Sequence, residues 1–209
     1  MYLDNNFDFV DLFEKKIAFF SGSKYAISTD CASHALFLVL KLINNPQIID
    51  CPKQTYFSVP MQILHAGYSV RFVDNLWKDF YYLNPLNIID SAVFFKKNMY
   101  IKNTFQILSF QDKKRLSLGK GGMILTDSKE YYDELKKLRY DGRDLSLKVC
   151  EIKNIDTLGY HMYMTPETAC NGLLKLNTLK NDFNNFSFGD YSDISDFSCF
   201  KNHERVFYD

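Results

Sequence analysis

Short apolar strands alternate with amphipathic helices along most of this 209-residue chain, and no other feature restricts its fold as tightly. Tyr25-Ala26-Ile27-Ser28 reads as a strand, and a helix follows from Ser33 to about Ile43, opened by the small residues Cys31-Ala32-Ser33. Ile48-Ile49-Asp50-Cys51 is strand-like, Val59 to Ala66 is helical and closed by Gly67, and Val70-Arg71-Phe72-Val73 returns to strand. Before them, Phe7 to Phe20 carries acids and apolar residues at helical spacing and stops at Ser21-Gly22-Ser23. This order predicts an α/β fold, a mostly parallel sheet with helices on both faces.

The pattern continues through Ile88-Ile89-Asp90, Phe105-Gln106-Ile107-Leu108 and Met123-Ile124-Leu125-Thr126, all strand-like. Lys129 to Arg139 is a charged helix with its apolar stripe at Tyr132, Leu135 and Leu138. Thr165-Pro166-Glu167 starts another helix that runs to about Leu176. After Lys180 the composition shifts to Asn, Asp, Ser and Phe without periodicity. The expected organisation is one α/β domain over residues 1–180 and a poorly patterned tail over 181–209, docking through Phe183, Phe186, Phe188 and Phe197.

Composition narrows the function classes. With 46% hydrophobic residues the chain is globular, and 25 basic against 25 acidic side chains leave no broad footprint for nucleic acid or an anionic membrane. No apolar run approaches the ~20 residues of a membrane helix, and Met1-Tyr2-Leu3-Asp4-Asn5-Asn6 has no signal-peptide character. The five cysteines lack CxxC or metal-like spacing, so reduced thiols in the cytoplasm and no metal site are expected.

Several segments in order fit a single cofactor. Cys31-Ala32-Ser33 opens a helix after a strand, where free N–H groups and the helix dipole favour a phosphate. Tyr56 precedes the next helix and can lay an aromatic face on a flat ring. Asp90 ends an apolar strand, where a carboxylate can pair with a pyridinium nitrogen. Ser109 ends another and can add a hydroxyl to the phosphate. Lys114 follows in a polar turn that returns through Gly121-Gly122 to strand, and a shielded lysine can lose its proton and attack a carbonyl. Lys113 is the alternative if the register differs by one. The cofactor these residues fit is pyridoxal 5'-phosphate, held by a Schiff base.

The same segments resemble, in collinear order, the DegT/DnrJ/EryC1/StrS family of pyridoxal-phosphate-dependent sugar aminotransferases. Gly22-Ser23-Lys24-Tyr25-Ala26-Ile27 through Leu36-Phe37-Leu38 is similar to the segment entering that family's SGTxAL turn, and Pro52-Lys53-Gln54-Thr55-Tyr56 to its P-x-x-T-aromatic. Ala66-Gly67 through Phe72-Val73-Asp74 resembles GA-x-PVFVD, and Ile88-Ile89-Asp90-Ser91-Ala92 resembles IEDxA. Ser109-Phe110 through Lys114 to Gly119-Lys120-Gly121-Gly122 resembles SFxxxKxxxxxGEGG. Leu138-Arg139-Tyr140-Asp141-Gly142 and Leu158-Gly159-Tyr160-His161-Met162-Tyr163-Met164-Thr165 resemble LRxHG and LGYNYRMT.

The resemblance implies a reduced fold-type-I large domain lacking most of the family's small C-terminal domain. It implies Lys114 as the Schiff-base lysine and proton shuttle, Asp90 at the pyridinium, Tyr56 on the ring, and Ala32, Ser33 and Ser109 at the phosphate. His161 falls where the family has an asparagine that reaches the neighbouring subunit's phosphate, so a homodimer with shared sites is implied. The substrates implied are a keto sugar, nucleotide-linked, and an amino donor such as glutamate, with no nucleic acid and no membrane as partners. The chain also departs from the pattern: Val93 replaces a Gln or His, Ala32 a glycine, Ser33 a threonine, Lys120 a glutamate and Tyr163 an arginine. Two alternatives stay open, a non-catalytic member serving as a binding or scaffold subunit, and a sugar dehydratase, whose known variant carries histidine where Lys114 stands.

Overall fold

The computed structural model describes residues 7–143, 147–179 and 186–208. The chain opens with helix α1 (Asp8–Ser21), strand β1 (Tyr25–Thr29), helix α2 (Ala32–Ile43), strand β2 (Ile48–Pro52), helix α3 (Ser58–His65) and strand β3 (Ser69–Val73). Strands β4 (Tyr81–Tyr82), β5 (Ile88–Asp90), β6 (Phe105–Ser109) and β7 (Gly122–Thr126) follow, then α4 (Lys129–Leu138) and α5 (Pro166–Asn177). A short helix α6 (Ser198–Lys201) and strand β8 (Val206–Tyr208) complete the described elements.

Local chemistry sets the boundaries. Gly22 at φ +84° ends α1 with its N–H donating to the Ala18 carbonyl, a left-handed position that suits glycine. The Ser128 hydroxyl accepts from the Tyr131 N–H to start α4, and Thr165 accepts from Thr168 ahead of Pro166 to start α5.

The strands form one sheet in the order β1-β7-β6-β5-β4 and another in the order β2-β3-β8. Pairings β2–β3, β3–β8 and β5–β6 are parallel, whereas β1–β7, β6–β7 and β4–β5 are antiparallel. The α/β architecture thus stands, with mixed strand directions. Direction reverses where no helix intervenes: β6 turns straight back into β7, and β4 into β5, so neither pair has the crossover a parallel connection requires. The sheets meet where the Asp50 N–H donates to the Asn84 carbonyl at 2.7 Å.

Alternation along the strands builds a core on each face. Ile27, Ile107 and Ile124 point into a cluster with α2, α3 and α4, through Leu38, Ile63 and Leu135 among others. Their neighbours Ala26, Leu108, Met123 and Leu125 point the other way, against Val10, Phe13 and Ile17 of α1 and Ala169 of α5. Helices therefore cover both faces.

The C-terminal residues that look unpatterned in sequence are built into this body. β8 pairs with β3 through Val70↔Val206 and Phe72↔Tyr208, and Ile194 and Phe200 are buried in the first cluster. Phe188 packs against the same cluster, Phe197 stays 42% exposed, and Phe183 lies outside the described residues. Periodicity is missing because backbone bonds hold the segment, such as Ile194 N–H to Lys53 O at 3.0 Å and Phe188 N–H to Trp77 O at 3.1 Å.

One charged network lies inside the domain. Arg139 is 1% exposed and pairs with Glu14, which also accepts from the Ser28 N–H and hydroxyl, both at 2.8 Å. Lys136 reaches the other Glu14 oxygen at 2.9 Å. Burial pushes the Glu14 carboxyl up, but Arg139, Lys136 and Ser28 more than offset it and hold the group at about 2.

Candidate functional site

A cavity of about 540 Å³ opens where the N-terminus of α2, the β2–α3 connection, the end of β5 and the β6–β7 turn converge. Beside it, β7 approaches the start of α2 closely. A Cβ on Gly122 would lie 2.4 Å from the Cys31 carbonyl carbon and 2.5 Å from the Ala32 nitrogen, so glycine is what lets the strand run beneath the helix end.

That helix end is open. Cys31 supplies no side-chain cap, and Cys31, Ala32 and Ser33 all line the cavity, so first-turn N–H groups of α2 are available to a ligand. The Ser33 hydroxyl shares a hydrogen bond with Ser58 at 2.7 Å. Cations stand near this end: Lys113, Lys114 and Lys120 line the cavity, and His34 lies in the first turn of α2. Hydrogen bonds to Asp30 and Cys31 push His34 up to about 10 despite burial, so it is protonated at neutral pH. Asp30 accepts from His34 at 2.6 Å and from Lys120 at 2.9 Å, which spends its charge inside the cluster it forms with Cys31 and His34.

The opposite wall carries Asp90. One carboxylate oxygen accepts from the Ala92 N–H at 2.9 Å and the other from the Tyr81 hydroxyl at 2.6 Å. Burial pushes this carboxyl up, while Tyr81, Ala92 and the Lys114 ammonium pull it back. Burial also lowers Lys114; Asp90 opposes that shift and neighbouring Lys113 adds to it. The net lowering makes the neutral amine of Lys114 easier to reach, which a nucleophilic amine needs. Lys114 is half-buried and Lys113 exposed, so of the two adjacent lysines Lys114 is the one shielded from water.

Tyr56 is 52% exposed, packs against Phe57 at 4.2 Å and lines the cavity, as do Ser109 and Val93. The structure therefore brings Ala32, Ser33, Tyr56, Asp90, Ser109 and Lys114 to one cavity. His161 is not among its lining residues; its side chain is 65% exposed and bonds Asp141 at 2.9 Å, beside Tyr140 and Tyr163. Sequence reasoning missed an aromatic wall of Trp77, Tyr81, Phe186 and Tyr191. Trp77 packs on Tyr81 at 5.2 Å and on Tyr191 at 5.5 Å, and burial with Asp90 nearby pushes Tyr191 up to about 12. Phe186 and Tyr191 belong to the unpatterned C-terminal segment, which carries no periodic signal.

The donor set fits pyridoxal phosphate. A shielded amine can take its aldehyde, a half-buried carboxylate can take its ring nitrogen, and an uncapped helix end with cations beside it can take its phosphate. Val93 offers only an apolar contact where a polar neighbour of the ring's phenolic oxygen is the family pattern.

Comparison with known proteins bears on the fold and the family. Among solved structures, AtS13 from Actinomadura melliaura is similar at TM-score 0.71 and 19% identity, over 82% of this chain and 60% of that one. The sugar aminotransferase CalS13 from Micromonospora echinospora is similar at TM-score 0.67 and 15% identity, over 82% and 60%. A 3-amino-5-hydroxybenzoic acid synthase is similar at TM-score 0.69 and 17% identity, over 82% and 56%. At these identities the likeness shows the fold, and the chain spans about 60% of the length of the first two. No curated protein matches the sequence. The model of one protein family matches residues 3–93 and 97–185. Those two stretches contain every residue gathered around the cavity except Phe186, Asp190 and Tyr191, and by them the chain belongs to the DegT/DnrJ/EryC1/StrS aminotransferase family.

Proposed function

We propose that this chain is a pyridoxal-phosphate-dependent aminotransferase acting on a keto sugar, nucleotide-linked, with an amino donor such as glutamate. The observation that supports it most is one cavity holding a shielded Lys114, a half-buried Asp90 and the open end of α2. When bound, the cofactor supplies an electron sink for the carbon that loses or gains a proton.

The chain's own residues do the rest. The first-turn N–H groups of α2, with Ser33 and Ser109, would hold the phosphate, and Tyr56 would cover one face of the ring. Asp90 would accept from the ring nitrogen, and the Tyr81 hydroxyl and Ala92 N–H fix its orientation. Lys114 would hold the cofactor through its Nζ, and the same nitrogen, when free, would carry the proton at the reacting carbon. Trp77, Tyr81 and Tyr191 exclude water from this end, and a sugar ring can pack on their faces. His161, outside its own cavity, is placed in this proposal at a second copy's phosphate, so that the active unit is a homodimer.

Protein supplied with pyridoxal phosphate is expected to release 2-oxoglutarate from L-glutamate in a single half-reaction, read by a coupled dehydrogenase. Lys114→Ala should slow that release by about a hundredfold or more. Native protein that binds the cofactor yet behaves no differently from Lys114→Ala would instead favour a binding or scaffold role.

A further inference from the structure

We propose that Tyr81 is a positioning residue: its phenol, backed by Thr55, holds the Asp90 carboxylate in its charged form and aims it at the ring nitrogen of the cofactor. This rests on the pyridoxal-phosphate reading and extends it to Tyr81, which lies outside the family motifs in the sequence.

The hydrogen bonds have only one consistent direction. An ionised carboxylate accepts only, so Tyr81 donates to Asp90 at 2.6 Å. The phenol then has no second proton, so Thr55 donates to Tyr81 at 2.5 Å. The chain of donors runs from the β2–α3 connection through β4 to the end of β5, and all three side chains line the cavity. Tyr81 stands directly opposite Asp90 in the antiparallel pairing of β4 and β5. Its ring is 5% exposed and packs on Trp77 at 5.2 Å, and the Trp77 indole N–H is fixed on the Gln54 carbonyl at 2.8 Å. The phenol is therefore held at one distance from the carboxylate.

Charge explains why the donor is required. The titratable groups facing Asp90 among the described residues are Tyr81, Tyr191, Cys51 and Lys114, and Lys114 alone is a cation. Lys114 must give up its proton to react. Within the chain, the Asp90 charge then rests on the Tyr81 hydroxyl and the Ala92 N–H. Phenylalanine at position 81 would keep the packing and remove half of that support.

The test uses protein labelled with carbon-13 at aspartate Cγ, titrated by NMR without cofactor, with Asp90→Asn to assign the resonance. The Asp90 carboxyl is expected to titrate at higher pH in Tyr81→Phe, and by a smaller increment in Thr55→Val. Pyridoxal phosphate should bind Tyr81→Phe about tenfold more weakly, as loss of one charge-assisted hydrogen bond implies. An Asp90 titration unchanged in Tyr81→Phe overturns the role of Tyr81 and leaves the cofactor reading intact. Failure of native protein to take up pyridoxal phosphate overturns the proposed function, and with it the ring-directed part of this inference.

Discussion

Replacing Glu14 by glutamine takes one charge out of a network buried between α1, β1 and α4. Glu14 holds Arg139 and Lys136 and accepts two bonds from Ser28. Its carboxyl sits at about 2 against an ordinary 4.5, a gap worth about 3 kcal/mol of folding stability at neutral pH. Because the folded-state value is depressed, this stabilisation is present above about pH 4.5 and is lost as pH falls through about 2. Glutamine keeps the shape but leaves the Arg139 guanidinium buried and unpaired, a fault of roughly 3–5 kcal/mol in comparable sites. For a chain of this size that is a loss of roughly 10 °C in melting temperature at pH 7. Thermal or urea unfolding of both proteins at pH 7, 4 and 2.5 reads it, and the difference should shrink steadily toward the lowest pH. A loss below about 1 kcal/mol at pH 7, or one that does not change with pH, would refute the reasoning. Glu14→Gln combined with Arg139→Met should recover part of the loss, since it removes the stranded charge.

Gly122→Ala places a methyl 2.4–2.5 Å from the backbone of Cys31 and Ala32, so α2 must shift away from β7. The expected result is a loss of about 1–3 kcal/mol in stability, together with weaker pyridoxal-phosphate binding; full cofactor affinity in a folded variant would contradict the open helix end as the phosphate site. The His34 ring, raised to about 10 by Asp30 and Cys31, should stay protonated through neutral pH in an NMR titration. With the folded-state value raised, its stabilisation is complete below about pH 6.5 and is lost as pH rises through about 10, so a ring titrating near 6.5 would contradict the pairing with Asp30.

The fold was legible where the core imposes a period. β1, β6 and β7 present alternate residues to the two clusters, and α1, α2 and α5 begin and end within a residue or two of their sequence signals. Lys114 and Asp90 could be singled out because Asp90 ends a short apolar strand and Lys114 follows another in a polar turn, where function concentrates. Tyr81 was not, because its strand is two residues long in a stretch without periodicity, and only the register with Asp90 reveals it. The antiparallel return of β7 was readable in principle, since no helical pattern separates it from β6. Glu14 also left a trace, for it lies on the apolar stripe of α1 with Val10, Phe13, Ile17 and Ala18. Its partner Arg139 is 125 residues away, so nothing local names the pair.

The most direct test of the central claim is borohydride reduction of protein incubated with pyridoxal phosphate, followed by peptide mass mapping. The account predicts a visible absorption band that bleaches on reduction and a phosphopyridoxyl mass on Lys114, not on Lys113 or Lys120. An adduct on another lysine would contradict the assignment of Lys114. No band and no adduct in folded protein would contradict the cofactor site itself.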